Sequence, residues 1–285
     1  MIGGRQRLYQ RAFSVDLVLL RLIVVRKSLL MKAFILLSAV FYALGIAQID
    51  SLESNVYRWH DLPVEKSEAG ERRQILKGST TDLEYLEIHA TTIEPKKSPH
   101  ASHSHDDTEE LIIVKEGMLK VTVKGESQVL GPGSIAIAMP GEQHGLENSG
   151  DTPVTYYVFR YRSKSPVNIE RANNSGGSFV VNWDEVAFQA TETGGRRQHF
   201  DRATSMFDRF EMHVSTLNEA LTNHKTHTHR AEEFVVIIKG EVEMQIGDSW
   251  HKASAGDLVF LASEIPHALR NLGSGQTEYF AFQWQ

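Results

Sequence analysis

The chain has 285 residues, 41% hydrophobic and 23% charged, the balance of a globular protein, which excludes a disordered one. A formal net charge of −6 offers no clustered positive face and excludes nucleic acid as a partner. With no cysteine there is no disulfide, no thiolate metal site and no cysteine nucleophile.

Residues 1–30 are basic, unlike the remainder of the chain, and read as an over-extended N-terminus ahead of a start at Met31. The stretch "MKAFILLSAVFYALGIAQ" (31–48) has a lysine after methionine, an apolar run from Ala33 to Ala47, and small residues Gly45 and Ala47 before Gln48. That pattern is a secretory signal over 31–47, too short in its apolar core for a comfortable membrane span. The alternative is a buried N-terminal helix. Removing residues 1–47 takes away seven Lys/Arg and one Asp and leaves a net charge near −12. The expectation is an acidic, periplasmic or secreted protein with no stable membrane span after cleavage.

The rest of the chain repeats itself. "GERRQ" (70–74) matches "GGRRQ" (194–198) and "EIHATTIEP" (87–95) matches "EMHVSTLNE" (211–219), both at an offset of 124. His100, His103 and His105 fall on His224, His227 and His229 at the same offset. One residue is then lost, and Gly117, Gly133, His144 and Asn148 match Gly240, Gly256, His267 and Asn271 at an offset of 123. Ten of the 13 histidines fall into five repeat pairs, which places two copies of one unit at 48–164 and 176–285. The intervening 165–175, running into "NNSGGS" (173–178), has the composition of a flexible linker.

Each unit reads as β. Short Val- and Ile-rich runs broken by Gly, Pro and Asn turns cover 111–148 and recur over 234–271, with no amphipathic helix after residue 50. Many short strands with regular turns predict an all-β barrel or jelly roll.

On a strand, residues two apart share a face, so His103 projects with His105 and His227 with His229. Glu110 or Glu109 with His144 completes such a group in the first unit, and Glu233 or Glu232 with His267 in the second. Three imidazoles and one carboxylate suit a divalent first-row metal with coordination positions left open. The plain alternative is a set of loop histidines on the surface.

The same residues resemble the cupin motifs. "HSHDDTEELIIVKEG" with "GSIAIAMPGEQHGLEN", and "HTHRAEEFVVIIKG" with "GDLVFLASEIPHALRN", follow the spacing HxH, Glu, Gly and then Gly, His, Asn. The resemblance covers most of the mature chain and implies tandem cupin barrels (double-stranded β-helices). It selects Glu110 and Glu233 as the carboxylate ligands. It departs from the motif at Lys97 and Leu221, at Met139 and Ala262 in place of proline, and at Glu264 in place of glycine. All of these lie in turns.

The resemblance further implies up to two metals per chain, drawn from Mn, Fe, Ni, Cu or Zn. It implies an enzyme on a small anionic or polyhydroxylated substrate: a dioxygenase of the quercetinase type, or a sugar or uronate lyase or isomerase. The alternatives are a non-catalytic ligand-binding cupin and a hydrolase of the ureidoglycine aminohydrolase kind. Glu110, Glu233, His100 and His224 are the candidate proton-transfer groups. An internal duplication acts as a built-in pseudo-dimer, so a monomer or a homodimer is expected.

Four further sets of residues stand near the motifs. Glu87/His89 and Glu211/His213 are expected on a hydrogen-bonded outer face, with the polar wall of a cavity as the alternative. Arg72, Arg73, Arg196 and Arg197 are either surface salt-bridge residues or a carboxylate clamp. Tyr156 and Tyr279 are expected in the core, or lining the pocket.

Overall fold

The computed structural model describes residues 51–285; the expected signal segment and residues 1–30 lie outside them. The first repeat supplies β1 (Asn55–Tyr57), β2 (Val64–Ser67), β3 (Gly70–Gly78), β4 (Leu83–Ile93) and β5 (Glu109–Glu116). It continues with β6 (Leu119–Val123), β7 (Glu126–Leu130), β8 (Ile135–Ala138), β9 (His144–Glu147) and β10 (Val154–Ser163). After α1 (Ile169–Asn174) come β11 (Phe179–Val181), β12 (Gln189–Thr191), β13 (Gly194–Arg202), β14 (Phe210–Leu217) and β15 (Glu232–Lys239). The chain ends with β16 (Glu241–Ile246), β17 (Ser249–Ser254), β18 (Leu258–Leu261), β19 (His267–Asn271) and β20 (Thr277–Trp284).

Each unit is an antiparallel jelly roll in which a large sheet faces a small one. The large sheets run β11-β8-β5-β10-β4-β3-β2 and β1-β18-β15-β20-β14-β13-β12; the small ones run β7-β6-β9 and β17-β16-β19. The opening strand of each repeat is therefore exchanged. β1 pairs with β18 of the second unit, Val56 opposite Val259, and β11 pairs with β8 of the first, Val180 opposite Ala136. The two pairings share one register, offset by the repeat.

The exchange is locked by tryptophans just beyond the swapped strands. The Trp59 amide donates to Asp257 (2.8 Å) and the Trp183 amide to Ser134 (3.0 Å). Trp183 lies so close to Gly133 that a Cβ there would stand 2.4 Å from its ring, and Gly133 has φ +85°. Only glycine fits both demands.

Strand parity explains the near-continuous apolar runs "ELIIV" and "FVVII". Ile112 and Val114 of β5 fill the interior of the first barrel, while Leu111 and Ile113 pack outward against the second unit. In β15, Val235 and Ile237 fill the second barrel, while Phe234 and Val236 face the first unit. A sheet buried on both faces loses its hydrophobic alternation. Each fully buried Phe or Leu in that shared layer contributes about 2 kcal/mol by removal from water.

The connection between repeats is not the unstructured linker that its composition predicts. Asn168 caps α1 by accepting from the Arg171 amide (2.8 Å). The Arg171 guanidinium donates to the carbonyls of Thr204 (2.7 Å) and Ser205 (3.0 Å) of the second unit. Capping and these anchors outweigh the Gly/Ser composition. No helix among the described residues is long and apolar enough to cross a membrane.

Candidate metal centre

The same parity separates two adjacent glutamates. Glu110 shares the inward face of β5 with Ile112, so it enters the first barrel; Glu109 shares the outward face with Leu111. Glu109 is fully buried and accepts from the Ser205 hydroxyl (2.6 Å), the Met206 amide (3.1 Å) and the Tyr161 hydroxyl (2.8 Å). Burial pushes its carboxyl up, against the pull of these donors. Glu232 does the reciprocal job, accepting from the Thr80 hydroxyl and the Thr81 amide (2.8 Å) of the first unit. Between the alternatives Glu109 and Glu110, and Glu232 and Glu233, one of each pair joins the units and the other faces a histidine cluster.

The HxH segments are not in regular strand. His103 and His227 make isolated bridges to His144 and His267, with the His103 amide donating to the His144 carbonyl at 2.9 Å and the reverse bond at 2.8 Å. A single bridge suffices to bring the side chains together. His103 Nε2 lies 3.0 Å from His105 Nε2, His105 Nε2 lies 3.2 Å from Glu110 Oε2, and His144 Nε2 lies 3.5 Å from Glu110 Oε1. Donor atoms of all four residues fall within 4.8 Å of one another. In the second unit that holds for His227, His229 and His267. Glu233 stands beside them, its Oε2 3.2 Å from His229 Nε2 and 3.6 Å from His267 Nε2.

The donor chemistry fits a metal. His144 Nδ1 faces the Glu142 carbonyl at 3.1 Å and His267 Nδ1 the Ile265 carbonyl at 2.8 Å, which holds the proton there. That leaves Nε2 bare, and both Nε2 atoms are buried with no hydrogen-bond partner among the described residues. A buried orphan nitrogen beside a carboxylate is costly unless a cation receives it. Burial opposes ionisation of Glu110, yet the contact with His105 Nε2 and the adjacent His144 imidazole hold its carboxyl well below the usual range. Glu233 is held at about 2 in the same way by His229 and His267. Burial, with the neighbouring imidazoles of His144 and His100, lowers His103 to about 4, so it is neutral and able to coordinate at neutral pH.

Each cluster opens into a cavity, about 350 Å³ in the first unit and about 360 Å³ in the second. His89 and His213 line them, and Glu87 and Glu211 are buried, so these pairs belong to the inner wall rather than the expected outer face. The reason is parity again: Glu87 and His89 share a face of β4 with Ile93, inside the barrel, whereas Leu86 and Ile88 face the other unit. Tyr156 and Tyr279 are both core and cavity lining.

The four arginines divide by position. Arg72 and Arg196 line the cavities and pair with Glu87 (2.7 Å) and Glu211. Arg73 lies over the Trp59 ring (4.8 Å) and Arg197 over that of Trp183 (4.7 Å), on the opposite face. Sequence reading missed Arg160 of β10, which also lines the first cavity and donates to Glu87 at 2.9 Å. Its only signal is its place in "TYYVFRYR", on the same parity as Tyr156. His100 and His224 stand at the mouths, each ring edge-on to the first histidine of its HxH at 4.3 and 4.1 Å.

The motif asparagines are structural. Asn148 donates to the carbonyls of Ile93 and Thr152, and Asn271 to those of Leu217 and Gly275, stapling the turn beyond the last ligand strand. Glu264 takes φ +62° where the first repeat has Gly141 at +80°, so the departure from the motif leaves the turn's backbone unchanged.

The Cupin domain family matches residues 90–160 and 215–282, the parts that carry both clusters. The chain belongs to the cupin superfamily and is a bicupin. Among solved structures it resembles the putative glyoxylate-induced protein from Pseudomonas aeruginosa, at 16% identity and a TM-score of 0.63, over 84% of this chain and 90% of that one. It resembles protein Ylba from E. coli at 14% identity and a TM-score of 0.62, over 86% and 96% of the two chains. The oxalate decarboxylase of Lactobacillus farciminis, solved as a formate complex, matches at 13% identity and a TM-score of 0.63, over 84% and 88%. At these identities the likeness establishes the fold of the bicupin. No curated protein sequence matches it.

Proposed function

We propose that this bicupin is a divalent-metal enzyme acting on a small molecule, with the first unit as its principal centre. The observation that carries the reading is the His103–His105–Glu110–His144 donor set, closed within 4.8 Å and opening on a cavity of substrate size. His227, His229 and His267, with Glu233 beside them, form a second and more open site. The metal is a first-row ion, from Mn, Fe, Ni, Cu or Zn, with up to two per chain; a solved relative, the Bacillus subtilis oxalate decarboxylase, has Mn(II) centres. When bound, such an ion polarises a ligated oxygen or, if redox-active, supports oxygen chemistry.

The chain's own residues set the rest. The neutral His103 imidazole and the ionised Glu110 hold their donor atoms ready. His100 Nδ1 faces the Ala101 carbonyl at 2.9 Å, which keeps its proton there and leaves Nε2 free as a base at the cavity mouth. His224 is held alike by Lys225 (3.0 Å). This arrangement serves proton transfer at the substrate: from carbon next to a carbonyl or carboxylate in a sugar or uronate isomerase or lyase, or from an enol or diol hydroxyl in a dioxygenase. The second reading, a non-catalytic ligand-binding role, is favoured only for the second unit, where the imidazole cluster is more exposed. The signal-like segment 31–47 supports export to the periplasm or outside the cell.

The test is metal content by plasma mass spectrometry on the chain from Gln48, purified without chelator or affinity tag, beside His103→Ala and His227→Ala. About two equivalents, with each variant losing one, support twin sites. Absence of metal, with both variants unchanged, overturns the metalloenzyme reading.

A further inference from the structure

The two cavities share their architecture but not their arginines. In the first, Glu110 lies directly across the sheet from Arg160, and Arg160 directly across from Glu87. Cross-strand neighbours on one face stand about 5 Å apart, so Arg160 is the side chain next to the carboxylate of the donor set. In the second, the same row reads Glu233, Gln283, Glu211. A neutral amide occupies the place of the guanidinium.

The rest of the row moves in the same direction. Beyond Glu87 stands Lys77, 3.7 Å from its carboxylate; beyond Glu211 stands Asp201. The charged side chains that line the first cavity are Glu71, Arg72, Glu110 and Arg160, and those that line the second are Arg196 and Glu233, so the first holds one guanidinium more than the second.

Arg72 and Arg160 each commit Nη2 to Glu87, and Arg160 Nη2 also reaches the Tyr85 hydroxyl (3.2 Å). Their remaining N–H groups have no acceptor among the described residues, and the side chains, 34% and 32% exposed, line the cavity. A guanidinium pair braced by one buried carboxylate is preorganised for a planar anion. The second cavity offers acceptors instead. Asn223, where the first has Pro99, donates Nδ2 to the Tyr279 hydroxyl (2.7 Å) and keeps a buried Oδ1 without a partner among the described residues.

We propose that the two sites have diverged in ligand charge: the first takes a small molecule carrying a carboxylate, received by Arg160 and Arg72 beside the metal ligands, and the second takes a neutral one bearing an amide or hydroxyl donor. This rests on the reading of both clusters as metal sites, and the experiment separates the two.

Malonate, with malonamide as its neutral counterpart, is titrated calorimetrically into His227→Ala, which retains the first site, and into His103→Ala, which retains the second. Metal content is measured on each sample, and the titration is repeated after chelation. The first site binds malonate about tenfold more tightly than the second, and Arg160→Gln in the first-site protein removes that advantage with metal content unchanged. In the second-site protein, Gln283→Arg raises malonate affinity several-fold over its parent. Equal malonate affinity at the two sites, or indifference to Arg160→Gln, overturns the proposal. Should the protein hold no metal, the metal reading fails by itself. The Arg160 dependence of malonate binding in the metal-free protein then decides the charge inference.

Discussion

The two histidine clusters descend from one motif and differ in how the carboxylate meets the imidazoles. Glu110 bridges His105 and His144 from its two oxygens and falls inside the donor group; Glu233 meets His229 and His267 through a single oxygen and falls beside it. His227 is exposed where His103 is half-buried. Duplication has preserved ligand type and spacing, while burial and carboxylate placement have drifted. Ligand spacing alone therefore does not make two sites equivalent.

The comparison breaks or sharpens at four places. The largest effect is expected at the carboxylates. Glu110→Gln lowers first-site metal affinity by about 100-fold or more, as loss of a ligand does, whereas Glu233→Gln costs the second site about tenfold, as loss of an orienting partner does. Chelator competition measures both, and equal losses would make the two centres alike.

Next come the reciprocal carboxylates between the units. Glu109→Ala and Glu232→Ala each strand several buried donors and are expected to cost about 2–3 kcal/mol in denaturant unfolding, far more than exposed Glu65→Ala. A smaller step separates the glycines against the exchanged arms. Gly133→Ala places a Cβ 2.4 Å from Trp183 and is expected to cost about 2 kcal/mol; Gly256→Ala, 3.3 Å from Trp59, about 1 kcal/mol.

The smallest effect concerns pH. Burial raises Glu87, but the Tyr85 hydroxyl and the Arg160 guanidinium outweigh it and hold the carboxyl at about 2. A depressed carboxylate stabilises the fold above its ordinary pKa and loses that contribution as pH falls through the folded value. Glu87→Gln therefore costs about 1–2 kcal/mol at pH 7, after screening of the half-exposed arginines, and the difference from the parent vanishes between about pH 4.5 and 2. Melting temperatures across that range report it; a constant difference would deny the ion pair its role.

Much of this was legible in the residues. A repeat at offsets of 124 and 123 pointed to two barrels, and the paired HxH, Glu and His to two clusters, because residue type and spacing are read directly from the chain. The inner-wall position of Glu87 and His89 was not legible. An outward face normally reads as polar, and here both faces of each large sheet are buried, so alternation carried no sign of which side was inside. Arg160 went unseen because an arginine among aromatics at a chain-distant strand gives no local signal; only its pairing with β5 sets it beside Glu110.

The sequence by itself determined the duplication, the β class and the spacing of the histidine–glutamate clusters, since each is written in local residue pattern. Tertiary structure alone decided that β1 and β11 change partners, that Glu109 and Glu232 tie the units while their neighbours face the clusters, and that Arg160 lines one cavity where Gln283 lines the other. Those outcomes depend on which strand lies next to which. Hydrogen bonds between strands are indifferent to side-chain identity, so pairing is settled by burying both faces of two sheets at once.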